Sequence, residues 1–370
     1  MTARFVSALQ DARRRTLALV APLGDEELER QLDPLMSPLV WDLAHIAAYE
    51  DLWLVHRHAG EPLLHGELAA RYDAFETPRS VRGEVELLDA DGARAYLADV
   101  RERSLAALER HGLDPVVHEM VLRHELQHTE TMRQAMALGA LADGERALRD
   151  APLEGPDGWL ELPAGRFTLG AGADGFAYDN ERPAHELSLP AFAVAHRPVT
   201  NGSWLTFAEG GGYERREWWS RESWIWKEEY DITHPPGVAT GHPEAPVCHV
   251  SWFEAAAFAR AHRARLPTEA EWERAATWNQ EPDRTDRGRL TGLGRVWEWT
   301  ASALHPYPGF VAYPYREYSE VFFGDRHRVL RGGSWATHPR VSGPTFRNWD
   351  LPQRRQIFAG LRLARDGSTR

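Results

Sequence analysis

The pattern of the chain changes at about residue 150, and no single fold accommodates both sides of that change. Up to about residue 140, apolar residues recur every three to four positions, the period of a helix with one buried face. Segments 4–19, 42–55, 93–110 and 114–138 each read as a helix. Ser37 is the expected N-cap of the second, with Pro38 at its first helical position. Gly112 and Gly139 stop the third and fourth. Four such helices make a bundle, whose core can hold a metal. The link 64–88 contains Pro78 and Gly83 and is longer than a bundle turn requires, so it reads as a functional crossover. After residue 150, short runs such as Trp159-Leu160-Glu161-Leu162-Pro163 and Arg166-Phe167-Thr168-Leu169-Gly170 sit between glycines and prolines. Only 252–262 and 268–276 read as helices there, and the charged stretch 280–289 reads as a surface loop. The expected fold class is α+β: a helical domain over 1–145, then a loop-rich mixed domain over 150–370.

Bulk properties narrow the function classes. A chain of 370 residues exceeds one ordinary core. The net charge of −12 argues against binding nucleic acid or an anionic membrane surface, which needs clustered Lys and Arg. No apolar run approaches the roughly 20 residues that cross a bilayer. Basic residues near the N-terminus interrupt its apolar positions instead of preceding them, so no secretory signal is read. Cys248 is the single cysteine, which rules out an intramolecular disulfide and a cysteine-based zinc cage. These features give a cytoplasmic expectation. Fifteen tryptophans, most of them beyond residue 200, supply rigid faces for packing loops and for stacking on cations.

The chemistry concentrates in Arg123-His124-Glu125-Leu126-Gln127-His128. Two imidazoles four residues apart project from one helix face and converge on one ion. The same letters match the H-E-x-x-H pattern of zinc proteases. A third imidazole is available from the second helix, where His45 lies among apolar residues in Trp41-Asp42-Leu43-Ala44-His45-Ile46. Three histidines on one side of an ion leave the other positions open, which suits iron that binds O₂ and substrate and also suits catalytic zinc. In the first reading Glu125 is a solvent-facing helix residue and Gln127 a polar substrate contact. His56, His58, His65 and His111 fall near helix ends and are read as solvated, and His118 as lying off the ligand face.

Six strings occur in order in the second half: Asn180-Glu181-Arg182-Pro183, Pro198-Val199-Thr200-Asn201, Arg265-Leu266-Pro267-Thr268-Glu269-Ala270-Glu271-Trp272-Glu273, Val296-Trp297-Glu298-Trp299, Arg331-Gly332-Gly333-Ser334-Trp335 and Gly360-Leu361-Arg362-Leu363. They resemble the formylglycine-generating-enzyme-like fold, a relative of the C-type lectin architecture. The copper-binding cysteine pair of that fold is absent, which excludes formylglycine generation. The first half resembles the DinB-like four-helix bundle. Together with 34–45 and Phe346-Arg347-Asn348-Trp349-Asp350, the chain resembles the ergothioneine sulfoxide synthases, with the selenoneine synthases as a sister group.

The resemblance implies an oxygenase that uses Fe(II) and O₂ to join a thiol to the imidazole C2 of hercynine, the thiol donor being gamma-glutamylcysteine. It implies His45, His124 and His128 as iron ligands. It implies Tyr315 as the catalytic tyrosine, the family's spacing to Phe322-Phe323 selecting it over Tyr313, with Tyr318 three residues on. The resemblance further implies Gln127, Asn348 and Trp349 as hercynine contacts, and Arg79 and Arg82, with Asp350 nearby, as the residues that hold the donor. These roles make chemical sense. A trimethylammonium is held best by an aromatic face, and carboxylates call for guanidinium forks. A selenosugar has no carboxylate, so Arg79 and Arg82 favour the thiol donor. The segment 279–295 is shorter than in relatives, which bears on the donor rather than on the acceptor. A zinc hydrolase built on His124 and His128 and a catalytically dead lectin-like module are the competing classes.

Overall fold

The computed structural model describes residues 2–141, 149–278 and 288–367. The stretch 280–289 therefore lies outside the described residues, apart from its last two. The chain divides into two compact units, Met1–Asp143 with Ala336–Val341, and Gly144–Trp335 with Ser342–Arg370.

The first unit is helical. Its elements are α1 (Thr2–Val20), the short α2 (Asp25–Glu29), α3 (Leu39–Glu50), α4 (Ala90–His111) and α5 (Val117–Leu138). Helix α3 is buried nearly all round: Leu39, Val40, Trp41, Leu43, Ala44, Ile46 and Ala47 share a core with Leu97 and Val100 of α4 and Met132 and Ala135 of α5. A helix apolar on every side belongs at the centre of its domain. At Asp51 the helix passes into a π-helix that runs to His58. A local widening of this kind is common at functional sites. Asp51 is fully buried, and its carboxylate accepts from the Leu64 amide at 2.7 Å and from Arg103 at 3.1 Å, which fixes the start of the crossover.

The caps follow the sequence in part. Asp89 accepts from the Gly92 amide at the start of α4, and Gly112 ends that helix with φ +80°. Asp114 accepts from the amides of Val116 and Val117 at the start of α5. The expected Ser37 cap is not formed. Pro38 takes the N-cap position, and the Ser37 hydroxyl instead accepts from Arg82 Nη1 at 2.7 Å. His58 and His65 are half-buried rather than solvated: His58 packs against buried His118 with ring centres 4.8 Å apart, and His65 against Tyr96.

The second unit carries β1 (Trp159–Leu162), β2 (Gly165–Leu169), β3 (His185–Leu189), β4 (Phe192–Ala195), β5 (Trp297–Leu304), β6 (Gly324–Arg331), β7 (Asn348–Asp350), β8 (Ala359–Leu361) and β9 (Ala364–Asp366). They form sheets of order β1-β4-β9, β2-β3 and β7-β6-β5-β8, all pairs antiparallel except β5 with β8. The helices are α6 (Asn201–Glu209), α7 (Arg221–Glu229), α8 (Trp252–Ala261) and α9 (Glu269–Trp278). Periodicity does not predict two of these, α6 and α7. Each is announced only by a hydroxyl cap, Thr200 on the Ser203 amide and Ser220 on the Ser223 amide. Helix α8 opens with a Ser251/Glu254 capping box.

Several of the strings that carry the resemblance pair with one another, that of residues 346–350 among them. Arg331 bonds Glu273, and Arg347 grips Glu269 through two bonds of 2.8 and 2.9 Å. Arg362 holds Glu298 at 2.7 and 2.8 Å, and Trp272 donates to the same carboxylate at 2.7 Å. Arg347 also bonds the Asn180 carbonyl. All three guanidinium groups are essentially inaccessible. A loop-rich domain has many buried carbonyls and few regular ladders, and these planar donors satisfy several carbonyls each.

Candidate metal centre

Helix α3 brings His45, and α5 brings His124 and His128, to one point in the helical unit. One ligand nitrogen from each lies within 4.8 Å of the others, the only such group of three or more among the described residues. His45 Nε2 and His124 Nε2 face each other at 3.1 Å. The ring centres of His45 and His128 are 4.7 Å apart, and those of His124 and His128 are 4.5 Å apart.

Hydrogen bonds set the tautomers. His45 Nδ1 donates to the Tyr72 carbonyl at 2.6 Å, so its Nε2 carries a lone pair. His128 Nδ1 donates to Asp42 Oδ1 at 3.0 Å, which leaves Nε2 as its ligand atom. Asp42 is 1% exposed, and its other oxygen has no hydrogen-bond partner. Sequence reasoning misses Asp42 as a functional residue. Its signal is a carboxylate three positions before His45 in an otherwise apolar helix, which is the place of an outer-shell partner. Ring faces complete the support: Trp41 stacks on His45 with centres 4.6 Å apart, and Tyr49 stacks on His124 at 3.7 Å.

Electrostatics favour the neutral form of two of the imidazoles, His45 and His124. Burial first, then the charge of His128, pulls His45 and His124 well below the ordinary histidine pKa of 6.5. Three imidazoles turning ring nitrogens toward one point fit a divalent transition-metal ion. The close approach of two ring nitrogens is what a shared cation resolves.

Glu125 is not solvent-facing, as its place on a helix suggests. It is 2% exposed, and its oxygens accept from Arg13, Arg101 and Thr16 at 2.8, 2.8 and 2.9 Å. A carboxylate held this way is not available as a hydrolase base. Gln127 is half-buried on α5. The two crossover arginines differ. Arg79 is exposed, and one bond of 3.4 Å joins it to the Leu35 carbonyl. Arg82 is 4% exposed and stacks on Trp41 at 3.5 Å. Arg82 commits donors to Ser37 Oγ and to the carbonyls of Thr77 and Ala74. Burial lowers its pKa to about 10, which leaves it cationic.

The remaining expected residues gather in the second unit. Tyr315 meets Tyr318 edge to face at 6.2 Å, Tyr318 meets Trp349 at 6.0 Å, and Tyr178 stacks on Tyr318 at 4.4 Å. Nothing in the spacing of the chain points to Tyr178. Tyr313 is 53% exposed, whereas Tyr315 is half-buried in this cluster. Asn348, Trp349 and Asp350 form β7, paired with Leu330, Val329 and Arg328 of β6. Asp350 accepts from Gln356 at 3.0 Å.

The two units correspond to two known families. Residues 8–141 match the DinB superfamily, and residues 146–289 and 288–367 match the Sulfatase-modifying factor enzyme 1-like domain. The class is thus a DinB-like helical domain followed by a C-type-lectin-like domain. Hercynine oxygenase of Mycobacterium tuberculosis is 44% identical, covering 97% of this chain and 97% of its own length. Hercynine oxygenase of Mycolicibacterium thermoresistibile is 42% identical over 98% and 95%. Ergothioneine biosynthesis protein 1 of Schizosaccharomyces pombe is 27% identical over 52% of this chain and 28% of its own length. The chain belongs to the hercynine oxygenase family.

Proposed function

We propose that this protein is an Fe(II)- and O₂-dependent oxygenase of ergothioneine biosynthesis. It joins the sulfur of gamma-glutamylcysteine to the imidazole C2 of hercynine and oxidises that sulfur to the sulfoxide. The balance closes on one O₂: the C2–H and S–H bonds break, a C–S bond forms, one oxygen atom ends on sulfur, and the other leaves as water with both hydrogens. The observation that carries this reading is the three-histidine group in a chain that matches hercynine oxygenases over nearly its whole length.

His45, His124 and His128 would hold the iron, which when bound supplies the site for O₂ activation. The residues around it do the rest. Asp42 and the Tyr72 carbonyl orient two of the imidazoles. Trp349 and Asn348, with Gln127, are the proposed hercynine contacts, the indole facing the trimethylammonium. Tyr315 gives the proton that steers oxidation toward C–S coupling, with Tyr318 edge to face against its ring and Tyr178 stacked on Tyr318. Arg79 takes a donor carboxylate, assisted by the N–H groups of Arg82 that its three protein bonds leave over, and Asp350 takes a donor N–H. The burial of Glu125 among arginines supports an oxygenase over a zinc hydrolase. Small molecules are the proposed partners, with a cytoplasmic location; among the described residues no helix is long and apolar enough to cross a membrane.

The test supplies hercynine, Fe(II) and O₂ with gamma-glutamylcysteine or with a selenosugar separately, and identifies products by mass. The sulfoxide with gamma-glutamylcysteine is expected. Turnover with the selenosugar alone, or any turnover without O₂, overturns the reading.

A further inference from the structure

Two arginines and two glutamates lie in the core of the helical unit, one on each long helix. They are Arg13 on α1, Glu50 on α3, Arg101 on α4 and Glu125 on α5, and none is more than 8% exposed. Arg101 holds Glu50 through bonds of 2.7 and 2.9 Å and Glu125 through one of 2.8 Å. Arg13 holds Glu125 at 2.8 Å and Glu50 at 2.9 Å. The spare donors reach the carbonyls of Leu97 and Leu9, and Thr16 adds a bond to Glu125. The four charges sum to zero.

A closed ion quartet in a core is weak support for stability, because apolar residues of similar volume often do as well or better. Its distinctive property is geometric. An apolar core tolerates a helix that turns or slides by a fraction of a residue, whereas here any slip strands a buried charge. Both carboxylates are rigidly tied to metal ligands: Glu125 is the residue after His124, and Glu50 follows His45 by five positions on the same helix. One residue of misregister in α5 would rotate its ligand face by about 100°.

We infer that the Arg13–Glu50–Arg101–Glu125 quartet is the positioning element of the metal centre, fixing the rotation and height of α5 against α3 so that the three imidazoles meet at one point. The glutamate of the H-E-x-x-H letters thus acts as a register lock. The inference rests on His45, His124 and His128 being metal ligands. Absence of metal binding by the unmodified chain would refute that reading, whereas unchanged binding by the variants below would refute this one.

The test titrates the full-length apoprotein with Co(II), following its visible absorption bands, and compares the charge-neutral variant Arg13→Met/Glu50→Leu/Arg101→Met/Glu125→Leu. Circular dichroism and the thermal midpoint should stay near those of the parent, while Co(II) affinity falls by about tenfold or more and the bands broaden. A folded variant with parental affinity and band shape overturns the inference. If the quadruple variant does not fold, the milder charge-balanced Arg13→Gln/Glu125→Gln is read in the same way. Val100→Ala, a core truncation on α4 outside the quartet, is the control for general destabilisation. It should keep parental Co(II) binding, and an equal loss there would also overturn the inference.

Discussion

The two units place chemically active side chains by opposite means. In the helical unit, the main chain does the placing: a four-residue interval on α5 and a central apolar helix α3 bring three imidazoles together, and hydrogen bonds to Asp42 and Tyr72 refine them. In the second unit, Tyr315 and Tyr318 lie at a short 3-10 turn and β7 is three residues long, so regular structure places little. There the frame is a set of buried Arg–Glu pairs, Arg331–Glu273, Arg347–Glu269 and Arg362–Glu298. Helix geometry can be read from spacing. A frame of paired charges from distant strings cannot, because each partner is dozens of residues away.

Removing one carboxylate of the frame should have the heaviest consequence. Glu298→Ala leaves Arg362 charged and buried, with both carboxylate bonds lost. The second unit should lose about 3–5 kcal/mol of stability, read by urea unfolding. A loss under about 1 kcal/mol would mean that the pairs are not the frame. Next in size, Asp42→Asn in the helical unit keeps the side-chain shape but removes the charge facing His128. Metal affinity should fall about 10–100-fold with the fold intact, measured by competition with a chelator. Parental affinity would show that helix geometry alone suffices.

Much of the three-histidine group is legible in the amino-acid sequence, because periodicity puts His45, His124 and His128 on the inward faces of two helices. Three features around it are not. A charge on a helix usually faces water, which assigns Glu125 to solvent, yet its partners Arg13 and Arg101 come from two other helices. Ser37 loses its cap role to Arg82, whose guanidinium reaches back from the crossover. The change to a π-helix at Asp51 has no period of its own to reveal it. In the second unit, strands β1 and β2 are legible from their Gly and Pro boundaries. The tyrosine cluster is reached only through family resemblance, since ring contacts among Tyr178, Tyr315, Tyr318 and Trp349 join loops far apart in the chain.

Smaller effects separate the two units further. Tyr315→Phe should shift products from the sulfoxide toward oxidised thiol at little change in stability, and an unchanged product ratio would count against this tyrosine. The mildest effect lies in the helical unit at His118, whose pKa is lowered to about 4 by burial and then by His58. The folded state thus holds this imidazole neutral. Its contribution is fully present above the unfolded value near 6.5 and is lost as pH falls through about 4. Between pH 7 and pH 5.5 this amounts to about 1 kcal/mol. His118→Asn should flatten the dependence of the urea midpoint on pH across that window, and a slope identical to the parent would exclude His118 as its source.

Imidazoles from two helices are proposed to hold one metal ion, with His45 as the ligand that the H-E-x-x-H letters do not supply. Anaerobic Fe(II) titration of the full chain and of His45→Ala decides the matter. One tightly bound iron per parental chain is expected, and none above background in the variant, with unchanged helical content. Stoichiometric, equally tight binding by His45→Ala would contradict the two-helix centre.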